Sequence, residues 1–543
     1  MAWLDGIIIA SYLLGITAIG VVAGRRQRET SAGYFLASRT LRWPTVGLAL
    51  FATNISTVHL IGLASSGFSD GMVIGNFEWL APFLLILLGL VFAPFYFRTR
   101  ISTLPEYVEG RYGPAARTVL AVMAVFGALF IHIGVTLYSG AVVVRTFAGI
   151  PILASILAVS ALTVLYTVLG GLKAVVVTES IQTVLLLVGG VLVTASALGA
   201  LGDSGIGSLE DLRRAAKPGQ LSMIRPQGEF AWYCMLVGYP VIGVWYWCSD
   251  QTIVQRVLGA RSERDAQLGP IFCGFVKILP PFVMVLPGVL AYVLFAEKVG
   301  ADPDAALIVL VRELLPDGLK GLVVAGLLAA LMSTVAGALN STATLVSIDI
   351  VRRTRPRTSD RALVRIGQAT AIVVMLLATL WSTQGERFGG IFKGINQMIS
   401  DLAPPISAVF IWGIFWRRAN AQGALAALLA GLALGAVAFL VDFPAASALL
   451  FGFDPEGRPV QLFTGLLGVP FLLQTGALFL ISSAVLVAVS LATPPPRPEQ
   501  VERYSWKSPL AAVTEKRIEG PFDPRLLALA LVLLLAACYA LFA

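Results

Sequence analysis

Residues 48–66 read LALFATNISTVHLIGLASS, and the fold turns on how this stretch is understood. It is long enough to cross a bilayer, since about 20 apolar residues span the hydrocarbon. Its centre, however, carries Asn54, Ser56, Thr57 and His59. Polar groups at mid-depth are costly unless they face protein or a water-filled cavity. A helix broken there frees backbone carbonyls and amides, which is tolerable only where they line such a cavity. Secondary transporters build ion and substrate sites in this way. The same side chains could instead bond to neighbouring helices, as polar residues in membrane bundles often do.

Composition sets the frame around this stretch. The chain has 543 residues, 57% hydrophobic and 13% charged, where soluble domains carry about 25% charged residues. It reads as an all-α integral membrane protein whose first partner is the lipid bilayer. The net charge of +8 comes from basic residues in short loops between apolar runs, so topology explains it better than nucleic acid. Cys234, Cys248, Cys273 and Cys538 all fall inside apolar runs and read as small buried hydrophobes. His59 and His132 are the only histidines, which excludes a histidine-rich metal site. The first apolar run, 6–23, has no small-residue cleavage signal after it and reads as a retained span.

Working outward, about fourteen spans are predicted: 6–23, 44–66, 77–97, 118–144, 152–170, 175–200, 232–255, 269–296, 318–350, 365–382, 388–416, 423–441, 463–491 and 524–542. Placing the N-terminus outside puts 27 of the 39 Lys and Arg residues in inner loops and ten in outer ones. The positive-inside rule then favours both termini outside, in a plasma membrane, the inner one in a bacterium. Residues 206–216 and 303–315 read as short helices on the outer face, and 493–523 as a cytoplasmic linker. The second and seventh spans are both polar and interrupted, five spans apart. Broken segments in matching positions of two halves point to an inverted repeat with the site at its interface. This divides the chain into an extra span (1–24), a first repeat (44–200), a second repeat (232–416) and three C-terminal spans (423–543).

Further intramembrane polar residues gather around that scheme. Glu78 opens the third span, Tyr138 lies late in the fourth, and Glu179 opens the sixth. The seventh reads VIGVWYWCSDQTIVQR, with Tyr246, Trp247 and Asp250 at its break. Lys277 lies in the eighth, and the ninth carries LMSTVAGALNSTATLVSID with Ser333 and Thr334. The eleventh, FKGINQMISDLAPP, holds Lys393, Asn396 and Gln397. Hydroxyls with free carbonyls suit a hard cation. Carboxylate, amides, lysine and aromatic faces together suit a polyhydroxylated ligand, whose hydroxyls both donate and accept. Interface anchoring and pairing with lysines are the alternative reading of the acidic residues.

At this point the motifs resemble the solute:sodium symporter family, and within it the sodium/glucose cotransporter branch. They are ATNIS…H-x-x-G-x-x-x-x-G (52–67), F-E-W (77–79), T-L-P-E-Y-x-x-x-R-Y-G (103–113) and Y-x-x-x-G-G-L-x-A-V (166–175). W-Y-W…D-Q…Q-R (245–256), A-x-x-S-T…L-N-S-T-A-T (330–344) and GINQ…APPISAVFIWGIFW (394–416) follow. The resemblance spans about residues 6–440. It implies a LeuT-type 5+5 inverted repeat with broken second and seventh spans and alternating access, carrying a sugar-like solute such as glucose or galactose with Na+. It implies no enzyme activity. It maps the sodium site onto the carbonyls of Ala52, Ile55 and Ala330 and the hydroxyls of Ser333 and Thr334, with Glu179 near the sodium path. The solute site maps onto Asn54, His59, Glu78, Tyr246, Trp247, Lys277 and Asn396, with Gln397 adjacent. Tyr246 would stack on the sugar as inner gate, with Leu63 and Tyr138 as outer packing. Three residues depart from the pattern: Asn396 stands for the usual Gln, Lys393 for a neutral or acidic residue, and Glu179 for Asp. Inositol, sialic acid or another organic acid is therefore the alternative cargo, the last through Lys393; the role of Asp250 is open.

Overall fold

Helices make up every regular element of the computed structural model, which describes residues 2–24, 30–384, 391–454, 457, 459–508, 511–514 and 520–542, with only the backbone described at 58, 391–394 and 445. The sole β pairings among these residues are two isolated bridges. Eleven described helices are long and apolar enough to cross a membrane, or twelve when one bent pair counts as a single span.

Helix α1 (Trp3–Gly24) covers the first predicted span. The stretch that opened the reading becomes two helices, α2 (Trp43–Asn54) and α3 (Thr57–Ser69), bent by 60° at Ile55–Ser56. Helix α4 (Met72–Thr99) carries Glu78 in its first turns, and α5 (Leu104–Tyr112) follows as a short helix. Helix α6 (Pro114–Ala148) contains a π-helical stretch, Gly127–Val135.

Helix α7 (Ile152–Asp203) runs for 52 residues, about 78 Å at 1.5 Å per residue, far more than a bilayer needs. Its contacts show that it doubles back. Tyr166 packs on Gly20 and Gly170 on Gly24, so this arm descends along α1 toward its C-terminus. Gln182 then bonds to the Tyr12 hydroxyl, back toward the start of α1. The reversal sits at Gly171, with φ 60° and ψ −162°, a region open essentially to glycine alone. A Cβ there would meet the Tyr34 carbonyl at 2.5 Å. The two predicted spans 152–170 and 175–200 are thus the two arms of α7.

After α8 (Leu209–Ala215), the second broken segment comprises α9 (Trp232–Gly243), a π-helical continuation to Ser249, and α10 (Gln251–Leu258). The break is Asp250, extended at φ −85° and ψ 125°. Helix α11 (Glu263–Val299) is interrupted at Lys277–Leu279, ahead of Pro280-Pro281, because proline removes a helical donor and clashes with the preceding turn. Helix α12 (Ala306–Leu314) is the short helix expected within 303–315, and α13 (Leu319–Arg352) is almost wholly buried. Helices α14 (Asp360–Ser382), α15 (Ile391–Phe415), α16 (Ala421–Asp442), α17 (Phe471–Ala492) and α18 (Pro524–Phe542) complete the chain.

Contacts between loops sort the ends of these helices onto two faces. On one, Arg39 donates to the carbonyls of Arg100 and Ile101, Arg98 pairs with Glu263, and Arg111 donates to the carbonyls of Gly413, Trp416 and Ala419. Arg117 pairs with Asp349 on the same side. These are the loops in which the basic residues concentrate. On the other face, Asp5 accepts from the backbone of Gly318 and Gly321, and Tyr539 reaches Asn76. Both termini meet segments on this second face. The stretch expected as a linker, 493–523, is docked where it is described: Trp506 donates from its backbone to the Ile414 carbonyl, and the Tyr107 hydroxyl to the Tyr504 carbonyl.

Candidate functional site

The break after α2 sets out backbone acceptors. Because the helix stops at Asn54, the carbonyls of Ala52, Thr53 and Asn54 lie in its last turn, where no intrahelical donor follows. Helix α13 brings two hydroxyls to them. Ser333 Oγ lies 2.9 Å from the Ala52 carbonyl and 2.8 Å from the Ala330 carbonyl. Thr334 Oγ1 donates to the Thr53 carbonyl at 3.2 Å. Ile55 is extended, so its carbonyl leaves the helical ladder beside them. The residues assigned to sodium from the sequence thus gather at one bend, with the Thr53 carbonyl added. A hydroxyl can swing its proton outward and present a lone pair instead, which suits a hard monovalent cation. No group of three or more His, Cys, Asp or Glu able to hold a metal exists among the described residues.

Behind this bend Glu179, on the second arm of α7, accepts from Thr53 Oγ1 at 2.9 Å. It is also paired to Arg256 of α10, and both side chains are fully buried. Glu179 therefore reaches the bend through Thr53. Its cation partner, Arg256, belongs to the second broken segment.

On the other side of the bend lies a cavity of about 70 Å³. A single water needs ~10–15 Å³ on this measure, so there is room for several waters or one small polyol. Asn54, His59, Glu78 and Lys277 line it. So do Tyr246, Trp247 and Asn396. Seven of the eight solute residues named from the sequence are therefore brought together from five separate segments. All but Asn396 lie beside a helix irregularity. Asn54 ends α2, His59 begins α3, and Glu78 precedes Pro82. Lys277 stands at the interruption of α11, and Tyr246 and Trp247 lie in the π-helical stretch of α9. π-bulges are frequent at functional sites.

The polar groups are partly committed to one another. Glu78 Oε2 and Lys277 Nζ are 2.5 Å apart, both almost fully buried, and the ammonium lies 5.4 Å from the Trp247 ring. The backbone N–H of Ser56 donates to His59 Nδ1 at 3.3 Å, which leaves the ring proton on Nε2. Asn54 Oδ1 is buried with no hydrogen-bond partner among the described residues.

The eighth residue, Gln397, corrects the expectation. It does not border the cavity: its amide donates to the Asp442 carbonyl at 2.9 Å. One residue along a helix turns a side chain by about 100°, so Asn396 and Gln397 cannot share a face. Leu63 is fully buried and Tyr138 half-buried, and neither borders the cavity. Lys393 lies outside the residues whose side chains are described. Asp250 is hydrogen-bonded to His132, at 2.8 Å. Glu78, Glu179 and Asp250 all sit inside the bundle with specific partners, not at an interface.

The cavity has lining residues that the sequence reading missed, among them His132 and Thr136 of α6 and Tyr239 of α9. A signal existed for the first two. They are polar residues four apart in the apolar run FGALFIHIGVTL, and residues four apart share a helix face.

Comparison with known proteins follows from this geometry. A model of the sodium:solute symporter family matches residues 34–431. The chain is 37% identical to the sodium/mannose cotransporter SLC5A10 of Bos taurus over 92% of its own length and 89% of that protein's. It is 32% identical to sodium/glucose cotransporter 2 of Rattus norvegicus, covering 96% and 84%. Among solved structures, a substrate-bound, outward-open Na+-coupled sialic acid symporter superposes with a TM-score of 0.74, covering 91% of this chain and 99% of that one at 20% identity. At that identity the likeness is one of fold.

Proposed function

The chain belongs to the sodium:solute symporter family, and from that premise we propose that it couples inward sodium movement to uptake of a neutral, polyhydroxylated, sugar-like solute. It is a multi-pass membrane transporter and not an enzyme. Sodium is held at the bend by the carbonyls of Ala52, Ile55 and Ala330 and the hydroxyls of Ser333 and Thr334. The solute occupies the cavity beside it. The chain crosses the plasma membrane fourteen times with both termini outside. Spans two to six and seven to eleven form the two inverted halves that alternate access between them.

One observation carries the choice of cargo. The cavity sets a buried, unpartnered acceptor on Asn54 beside an internally neutralised Glu78–Lys277 pair and the Tyr246 and Trp247 rings. A hydroxylated ligand satisfies the amide, shares the pair without bringing net charge, and lays an apolar face on a ring. An acidic cargo would need a cation beyond that pair.

The test is uptake into proteoliposomes of labelled hexoses, inositol, sialic acid and proline, with and without a sodium gradient. Sodium-dependent accumulation of a hexose or inositol is expected. Uptake of sialic acid alone would replace the neutral cargo with an acidic one, and uptake indifferent to sodium would remove the coupling. For scale, one charge crossing about 100 mV supplies roughly 2.3 kcal/mol, about 50-fold in accumulation.

A further inference from the structure

His132 plays no part in the solute set named so far, yet its ring stands at the cavity wall. It lies in the π-helical stretch of α6, 4% exposed, with Thr136 one turn on lining the same cavity. Two aromatic neighbours hold the imidazole plane. The Trp245 ring stacks on it at 6.0 Å and 11°, and the Tyr246 ring leans on it at 5.8 Å and 55°. Nε2 lies 2.8 Å from Asp250 Oδ2. No hydrogen bond to Nδ1 is found among the described residues, and the ring borders the cavity.

Asp250 is itself pinned. Its Oδ1 accepts the backbone N–H of Thr252 at 2.6 Å and so caps the N-terminus of α10. One carboxylate therefore does two things at the break of the second broken segment: one oxygen holds the helix start, the other holds the imidazole. A carboxylate only accepts, so the Nε2 beside it carries the proton. In the neutral ring Nδ1 is then an acceptor.

We propose that His132 is a solute-binding residue, accepting a hydrogen bond from one solute hydroxyl through Nδ1, and that Asp250 is the positioning residue that fixes this polarity. The proposal rests on the reading of the cargo as a polyol. It adds a hydroxyl-specific acceptor from α6, and it ties solute contact to the helix break through a single hydrogen bond.

The experiment uses the transported sugar and its single-position deoxy and deoxyfluoro analogues in sodium-driven proteoliposome uptake. Fluorine accepts weakly but cannot donate, so it reports on which side donates. In the unaltered protein both analogues at one ring position should lose affinity by roughly 3- to 10-fold, as expected for one neutral hydrogen bond. His132→Ala should weaken the parent sugar by the same factor and abolish discrimination at that position alone. The sodium concentration for half-maximal uptake should not move. Asp250→Asn carries the sharper test. Its side-chain oxygen must stay on the Thr252 N–H, which turns the amide NH2 toward Nε2. The ring then carries its proton on Nδ1, and the fluoro analogue should regain affinity over the deoxy one.

Discrimination unchanged at every position in His132→Ala would overturn the proposal. So would an equal loss at all positions with a raised sodium requirement, which marks a merely structural histidine. If the alanine variant is not recovered in the membrane, His132→Asn, which retains an acceptor, must keep the discrimination that Asp250→Asn inverts; failure to do so overturns it equally. Failure of the unaltered protein to carry any polyol would sink the cargo reading instead, before any variant is made.

Discussion

Replacing Glu78 by Gln probes two effects that the structure separates. The carboxylate is 2.5 Å from Lys277 Nζ, and the two side chains are 3% and 1% exposed. Neutralising Glu78 leaves a buried ammonium with nothing to balance it, at a cost of about 3–5 kcal/mol in folding stability. It should also weaken the hydrogen bond proposed from a solute hydroxyl to Glu78. Bonds to charged groups are worth about 1.5–3 kcal/mol, which is roughly ten- to a hundred-fold in affinity. Lys277→Met in the same chain removes the orphaned charge. The double variant should therefore recover most of the stability and none of the affinity. Thermal unfolding in detergent reads the first quantity, and sodium-driven solute uptake in proteoliposomes reads the second. Wild-type affinity in the double variant would refute the assignment of both residues to the solute. An unfolding midpoint in Glu78→Gln equal to that of the unaltered protein would refute the energetic argument for the pair.

Three other outcomes follow from the same geometry. Ser333→Ala with Thr334→Ala removes both hydroxyls at the bend, so the sodium concentration for half-maximal uptake should rise sharply while the protein still reaches the membrane; an unmoved value would dismiss the site. Gln397→Leu removes a bond to the Asp442 carbonyl, which Gln461 also contacts, so stability should fall by about 1 kcal/mol and the solute KM should stay put; a raised KM would return Gln397 to the cavity. Gly171→Ala forces a Cβ to within 2.5 Å of the Tyr34 carbonyl at a positive φ, so it should cost at least ~1–3 kcal/mol and lower the recovered protein; normal yield and melting would mean that α7 reverses elsewhere.

The sequence by itself determined the class and the two places where spans break. Each of these is a local property. A run of about 20 apolar residues has no alternative to a membrane or a core, and NIST at 54–57 or CSDQ at 248–251 cannot continue a lipid-facing helix. It also named seven residues that line the cavity, among them intramembrane Asn54, Glu78 and Lys277, which are expensive wherever they are not used. Tertiary structure decided the pairings. That Glu78 meets Lys277, Glu179 meets Arg256 and Asp250 meets His132 depends on which helices lie side by side, and no spacing along the chain encodes it. It also decided which side of a helix faces the cavity where the helix is irregular. The step from Asn396 to Gln397 sends one amide to the cavity and the other to Asp442. His132 and Thr136 share a helix face by their spacing, but only the packing of α6 against the break at Asp250 gives His132 its partner. A side chain's neighbours across a bundle are set by the packing of helices far apart in sequence, and that packing is where the remaining information lies.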